Sequence, residues 1–210
     1  MIILHGSPHS TCTRKVLTVL HEKEADYHFH PIDLGAGEHK APGHLLRQPF
    51  GVVPTLEHDG LEMYESRAIC RYLDRALPGT SLMPTSLHDY ARAEQYISVE
   101  QSYFSGPALQ IFYQKLKNPR MGLPTDPAAI QAARDRLAHT GDVLDARLER
   151  ARYFGGETFS LADVMFMPYV ALLQVTGDGD VVAKRPSFAR WWAEVSARPS
   201  WVKTLGLAKT

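Results

Sequence analysis

Three short stretches of this chain hold residue types that could do chemistry together. The first is Gly6-Ser7-Pro8-His9-Ser10-Thr11-Cys12-Thr13-Arg14, which leaves an apolar run, Ile2–His5, and enters a helical pattern of Val16, Leu17, Val19 and Leu20. A hydroxyl at such a helix start stands where partial positive charge favours an anion. The second is Pro49-Phe50-Gly51-Val52-Val53-Pro54. Its X-Pro bond biases Val53 towards extended backbone and so offers an edge for pairing. In the third, Tyr64-Glu65-Ser66-Arg67-Ala68-Ile69, a strand ends on an acid and Ser66 is placed to cap the next helix. The free amides of that helix start would take a carboxylate. A backbone edge beside an anion site suits a small peptide that carries carboxylates.

Ser10 has two readings. Serine in this position ordinarily caps the helix. It could also hold a thiol as thiolate near neutral pH. A free thiol has a pKa of about 8.5, and lowering it by about 2 units takes roughly 3 kcal/mol. One hydrogen bond to a charged group supplies about 1.5–3 kcal/mol and a helix start about 0.3–1. A single hydroxyl plus the helix start therefore covers most of the shift. Cys12, with Arg14 and Lys15 close in sequence, is either a reactive thiol or a small residue facing the core, and the core is the expectation. Cys70 falls within a helix and is given no role. His28 and His30 alternate on one strand face without a third ligand at suitable spacing, so no metal is expected.

The chain has 210 residues, with 23 Lys plus Arg against 23 Asp plus Glu. No global field favours nucleic acid or an acidic membrane surface. Two cysteines, in neither a C-x-x-C pair nor a metal spacing, fit a reducing cytosol. The opening Met1–Leu4 is interrupted by His5 and Gly6, and no stretch approaches transmembrane length. A cytoplasmic protein without nucleic-acid or membrane partners is expected.

The elements that must position these groups are of two kinds. Up to residue 77 the order is strand Ile2–His5, a helix ending in Glu22-Lys23-Glu24, strand Tyr27–Ile32, and a polar irregular loop from Gly35 to Pro42. Strands Thr55–His58 and Leu61–Tyr64 follow, joined by the tight-turn pair Asp59-Gly60. A helix carrying Ala68, Ile69, Tyr72, Leu73 and Ala76 then stops at Pro78-Gly79. This is an α/β N-terminal domain, residues 1–77, thioredoxin-like in element order. Leu77–Ser86, rich in Pro, Ser, Thr and Gly, reads as a linker. Strand signals then vanish. Ile130, Ala133, Leu137, Leu144 and Leu148 mark a long amphipathic helix, and Ser160-Leu161-Ala162-Asp163 a capping box. Trp191, Trp192 and Val195 belong to a helix between Pro186 and Pro199. An all-α helical C-terminal domain, residues 87–210, is expected.

Taken together, these motifs resemble the soluble glutathione transferases, and the first stretch resembles their phi class, in which a serine precedes a Thr-Arg step into the first helix. Gly37-Glu38-His39-Lys40 is also similar to that class. The resemblance spans nearly the whole chain and is most specific in the first half. It implies that Ser10 donates a hydrogen bond to the glutathione sulfur, and that Val53 pairs its backbone with the cysteinyl part while Pro54 is cis. It implies that Glu65 and Ser66 hold the γ-glutamyl end, and that His39 and Lys40 meet the glycyl carboxylate. Phe112 would contact an apolar electrophile bound between the domains. Glutathione is then a co-substrate, no cofactor is needed, and a detoxifying homodimer with some glutathione peroxidase activity is implied. The family usually has Gln or Lys between Gly51 and Val53, and here Val52 stands instead.

Two rivals stay open on the residues alone. One is a thiol–disulfide or reductive enzyme working through Cys12. The other is a non-catalytic binding or scaffold protein of the same fold, for which Val52 would signal weakened binding.

Overall fold

Strand β1 (Ile2–Gly6) is paired on both edges. The sheet order is β2-β1-β3-β4, with β2 at Tyr27–Pro31, β3 at Thr55–His58 and β4 at Leu61–Tyr64. β2 runs parallel to β1, which requires a crossover, and helix α1 (Thr11–Glu22) provides it. β3 and β4 form an antiparallel hairpin whose turn residues Asp59 and Gly60 have φ of 49° and 84°, the positive values a two-residue turn needs. The computed structural model describes residues 1–208.

The loop read as irregular between Gly35 and Pro42 contains a 3-10 turn, Glu38–Lys40, and leads into a short helix, α2 (Pro42–Arg47). Six residues beginning Pro-Gly are too few for a periodic apolar signal. Helix α3 (Ser66–Ala76) follows β4 and packs on α1. Leu4, Leu56, Leu17, Leu20, Ile69 and Leu73 are fully buried and form the core of this unit.

By contacts the chain divides into two units, one of residues 1–81 together with the segment from Arg198, the other Leu82–Ala197. The last helix, α11 (Pro199–Gly206), packs on α1 and departs from the helical span expected to run to residue 210. The cause is polar complementarity. Arg198 forks onto Glu22 with two 2.8 Å bonds, and Ser200 Oγ donates to the same carboxylate at 2.5 Å. Burial alone would raise Glu22, but the Arg198 and Ser200 bonds hold it below its ordinary value. Lys23 is likewise no solvated helix end. It is 7 % exposed, pairs with Asp74 at 2.8 Å and donates to the carbonyls of Asp74 and Thr80 at 3.0 and 2.8 Å.

The second unit is helical. Ser86 caps α4 (Leu87–Val99), which continues through a π-helical segment, Glu100–Phe104, into α5 (Ser105–Phe112). A second π-helical segment, Tyr113–Lys117, leads to α6 (Asn118–Arg120). The long helix α7 (Pro127–Glu149) is capped by Asp126. Helix α8 (Leu161–Val175) is buried along most of its length, and α9 (Asp180–Ala183) and α10 (Pro186–Ser196) complete the unit. The capping box at Ser160 is present, and Asp163 does more than cap. It accepts from the Ser160 amide and hydroxyl at 2.9 Å each, from the Phe154 amide at 3.0 Å and from Trp191 Nε1 at 2.8 Å. Phe154 in turn packs on Phe166 and Trp191, with ring centroids 4.4 and 4.9 Å apart.

Under α11, His21 Nδ1 lies 2.9 Å from Thr204 Oγ1 and Nε2 lies 2.7 Å from the Tyr27 hydroxyl. Burial pushes its pKa down from 6.5 to about 4. Above pH 6.5 the ring is neutral in the folded and unfolded chain alike. Between pH 6.5 and about 4 the unfolded chain binds a proton that the folded chain refuses, so stability falls as pH drops through that window. Denaturant unfolding should show a loss of at most about 3 kcal/mol from this source, absent in His21→Gln.

Candidate active site

Strand register decides which loops meet. Gly6 lies opposite Pro31, His5 opposite Thr55, and Thr55 opposite Tyr64. The chain leaving β1 towards Ser10, the chain leaving β2 towards His39 and Lys40, the Val53-Pro54 step into β3 and the Glu65-Ser66 step out of β4 therefore share one end of the sheet. Every polar candidate read from the sequence belongs to one of these four segments.

Ser10 is the N-cap of α1. Its Oγ accepts from the Thr13 amide at 3.3 Å, and its backbone is held by Ser10 N to Ser7 O and Arg14 N to Ser10 O, both 3.0 Å. Arg14 Nε donates to Pro8 O at 2.8 Å and ties the loop back to the helix. The cap and the chemical reading are compatible. A hydroxyl has one donor and two acceptor lone pairs, and the cap uses only a lone pair. Ser10 is half-buried and so within reach of a ligand.

Val53 and Pro54 are buried, and the bond between them is cis. The preceding loop is latched in place: His44 Nε2 lies 2.7 Å from Val52 O, the Phe50 amide donates to Gln48 Oε1 at 2.7 Å, and Lys40 Nζ donates to Phe50 O at 3.2 Å. Gly51 permits this. Its φ is +60°, and a Cβ there would stand 2.8 Å from both Cδ and Nζ of Lys40. Val52 is 46 % exposed, so its side chain is no part of the core.

Ser66 does not cap α3. Glu65 occupies the N-cap position, with φ 72° and ψ 102° and no capping bond from its side chain, and Ser66 is the first helical residue, buried. A non-glycine residue in the left-handed region costs of order 1–3 kcal/mol and persists only where the surroundings enforce it. Here the end of β4 and the start of α3 turn on that one residue, which leaves the Glu65 side chain exposed at the sheet end.

Cys12 is half-buried where a core position was expected, because the inward-facing place on this turn is taken by Thr13. Cys70 is wholly buried, and burial pushes its thiol up to about 12, so it stays protonated. Phe112, half-buried at the end of α5, packs edge-on against Tyr113. Among the described residues no group of three His, Cys, Asp or Glu is arranged to hold a metal ion, and no helix is long and apolar enough to cross a membrane.

Sequence reading did not reveal a cleft of about 530 Å³ beside the Ser10 loop, lined by Pro8, His9, Ile32, Asp33 and Leu34 among others. Ser10, Val53 and Ser66 do not line it; Pro8 and His9, which do, immediately precede Ser10 in the chain. Its far wall is a braced turn, in which Asp33 Oδ1 accepts from the amides of Gly35 and Ala36 at 2.7 and 3.0 Å and Glu38 Oε2 from the Asp33 amide at 2.7 Å. The Asp-x-Gly spacing was a visible signal for that turn.

Comparison with known proteins identifies the architecture. Residues 2–75 match the family model for the glutathione S-transferase N-terminal domain, and residues 127–193 match that for the C-terminal domain. A glutathione S-transferase of Silene vulgaris is 37% identical, over 99% of this chain and 98% of its own. The chain belongs to the glutathione S-transferase family. Glutathione S-transferase F12 of Arabidopsis thaliana is also 37% identical, over 99% of both chains, so the relatives are those of the plant phi class. Among solved structures, glutathione transferase F7 from Populus trichocarpa superposes with a TM-score of 0.93 at 36% identity, covering 99% of each chain. Maize glutathione S-transferase I, in complex with an atrazine glutathione conjugate, does so at 0.91 and 33%, covering 99% of this chain and 98% of its own.

In this transferase Gly51 combines a left-handed backbone with a crowded Cβ position. Gly51→Ala should cost about 1–2 kcal/mol for its left-handed backbone, and the added methyl must displace Lys40. A lowered melting temperature together with weakened glutathione binding is expected. Calorimetry and ligand titration check the two separately.

Proposed function

We propose that this enzyme joins the thiolate of glutathione to small apolar electrophiles, with Ser10 donating the hydrogen bond that keeps the sulfur ionised. The observation that carries the reading is Ser10 capping α1 with its donor unspent, at the sheet end shared by Val53, Glu65 and Ser66. The sulfur attacks the electrophilic carbon, a C–S bond forms and a leaving group such as chloride departs with the bonding pair. Ser10 is not covalently altered. Val53 would pair its backbone with the cysteinyl part beside the cis Pro54. Glu65 and Ser66 would hold the γ-glutamyl ammonium and carboxylate, and His39 and Lys40 the glycyl carboxylate.

An acceptor the size of a chlorinated aromatic fits the cleft beside the Ser10 loop, since ligand pockets run from about 300 to 1,000 Å³. The conjugate seen in the maize relative supports halogenated aromatics as the first substrates to try, with hydroperoxides and isothiocyanates after them. Phe112 is the residue of the helical unit to test for acceptor contact. Val52 leaves the loop without a polar side chain there, a loss of about 1 kcal/mol, or roughly fivefold in glutathione affinity. Phe50, 68 % exposed beside Val52, is an apolar anchor for a second copy of the chain, in keeping with a cytoplasmic homodimer.

Ser10→Ala should lower conjugation about ten- to a hundredfold at pH 6.5, the worth of one hydrogen bond to a charged group. The deficit should shrink towards pH 9, where the thiol ionises unaided. Full activity of Ser10→Ala at pH 6.5 would sink the assignment.

Glu65→Gln should weaken glutathione binding about tenfold by loss of one charge-assisted contact. Ser66→Ala should weaken it too, with less loss of stability than removing a true cap would bring. Isothermal titration checks both variants, and unchanged dissociation constants in both would move the binding site elsewhere.

A further inference from the structure

Thr13, the third residue of α1, is fully buried and touches the site from two sides. Its amide makes the 3.3 Å bond to Ser10 Oγ. Its side chain lies on Gly6, the last residue of β1. A Cβ on Gly6 would stand 2.6 Å from Thr13 Cγ2 and 2.7 Å from Thr13 Oγ1, closer than real Cβ atoms come. Strand and helix therefore approach until only the threonine side chain separates them.

The Thr13 hydroxyl is buried without a hydrogen-bond partner. A buried hydroxyl left unpaired is destabilising, so its polarity does nothing for this packing. Shape is what the position uses. A β-branched side chain is stiff about χ1 and keeps its two branches in place. The bonds from Ser10 N and to Ser10 O fix the backbone of the serine but leave its side chain three staggered wells. Among the hydrogen bonds of Ser10, the one from the Thr13 amide selects a well. At 3.3 Å it is already long for an N–H···O bond, so a displacement of a few tenths of an ångström would break it.

We infer that Thr13 is a positioning residue for Ser10: wedged on Gly6, it sets the distance of the first turn of α1 from β1 and so aims the serine hydroxyl. The inference rests on the proposed role of Ser10. Loss of the wedge lets the turn settle, frees the Ser10 rotamer and weakens its bond to the thiolate. Glutathione recognition at Val53, Glu65 and Ser66 is untouched.

The test is the pKa of the glutathione thiol bound to the enzyme, read from thiolate ultraviolet absorbance against pH, with kcat/KM profiles and glutathione titrations alongside. Thr13→Ala should raise that pKa by about half to one unit. Activity at pH 6.5 should then fall about three- to tenfold and recover by pH 9, with glutathione affinity kept. Thr13→Val keeps the shape and removes only the unpaired hydroxyl, so it should retain the wild-type pKa and melt no lower. Thr13→Ser keeps the hydroxyl and drops the methyl on Gly6. It should shift as alanine does, and it serves if the alanine variant does not fold. An unmoved thiol pKa in folded Thr13→Ala or Thr13→Ser overturns the inference, as does a valine variant shifted as far as these. Ser10→Ala measured beside them separates the two claims. If it leaves the pKa unmoved, the Ser10 role itself fails; if it moves the pKa and the Thr13 variants do not, only the positioning role fails.

Discussion

The site depends on how β1 is paired. One neighbour runs parallel and the other antiparallel, so the chain leaving β1 and β2 and the chain entering β3 are brought to the same end of the sheet. The hairpin returns β4 to that end as well. Register in such a sheet admits little error, because a slip of one residue would exchange buried Leu4 and Leu56 with their outward neighbours. The hydrophobic pattern that holds the sheet together thus also determines which loops meet.

Helix α1 carries that order to the candidate hydroxyl. Its N-terminus holds Ser10, while its other end is fastened by charge. Glu22 is clamped by Arg198 and Ser200, and Lys23 by Asp74 and two carbonyls. The Lys23–Asp74 pair is buried, and such pairs add little net stability, but removing one partner costs about 3–5 kcal/mol, so the pair locks an arrangement more than it strengthens one. Flanked by α3 on one side and α11 on the other, α1 has few ways to shift. The hydroxyl proposed to meet the sulfur would thus sit on an element that holds it in place.

The helical unit is organised around a carboxylate instead of a sheet. Asp163 gathers four donors from three segments, and Phe154, which supplies one of them, packs its ring on Phe166 and Trp191. Burial raises its pKa, and the four donors pull the other way. Its position was visible in the sequence as the fourth residue of Ser-Leu-Ala-Asp. Its reach to Phe154 and Trp191 was not, since a capping box predicts only the two bonds of its own turn.

Local chemistry was legible wherever the cause is local. The hairpin at Asp59-Gly60, the strand bounds of β3 and β4, the cap at Ser10 and the box at Ser160 follow from turn geometry, alternation and capping, which act within a few residues. The order of strands and helices, and with it the α/β-then-α architecture, follows from the same signals. What the sequence left open needs a partner far along the chain. Glu22 and Lys23 look like a solvated helix end until Arg198 and Asp74 arrive. Ser66 looks like a cap until the turn out of β4 forces Glu65 into the left-handed region and moves the helix start by one residue. Cys12 and Thr13 compete for the inward place on one turn of helix, and helical spacing alone does not choose between neighbours. The close approach of Gly6 chooses, because only the residue above it can fill that gap.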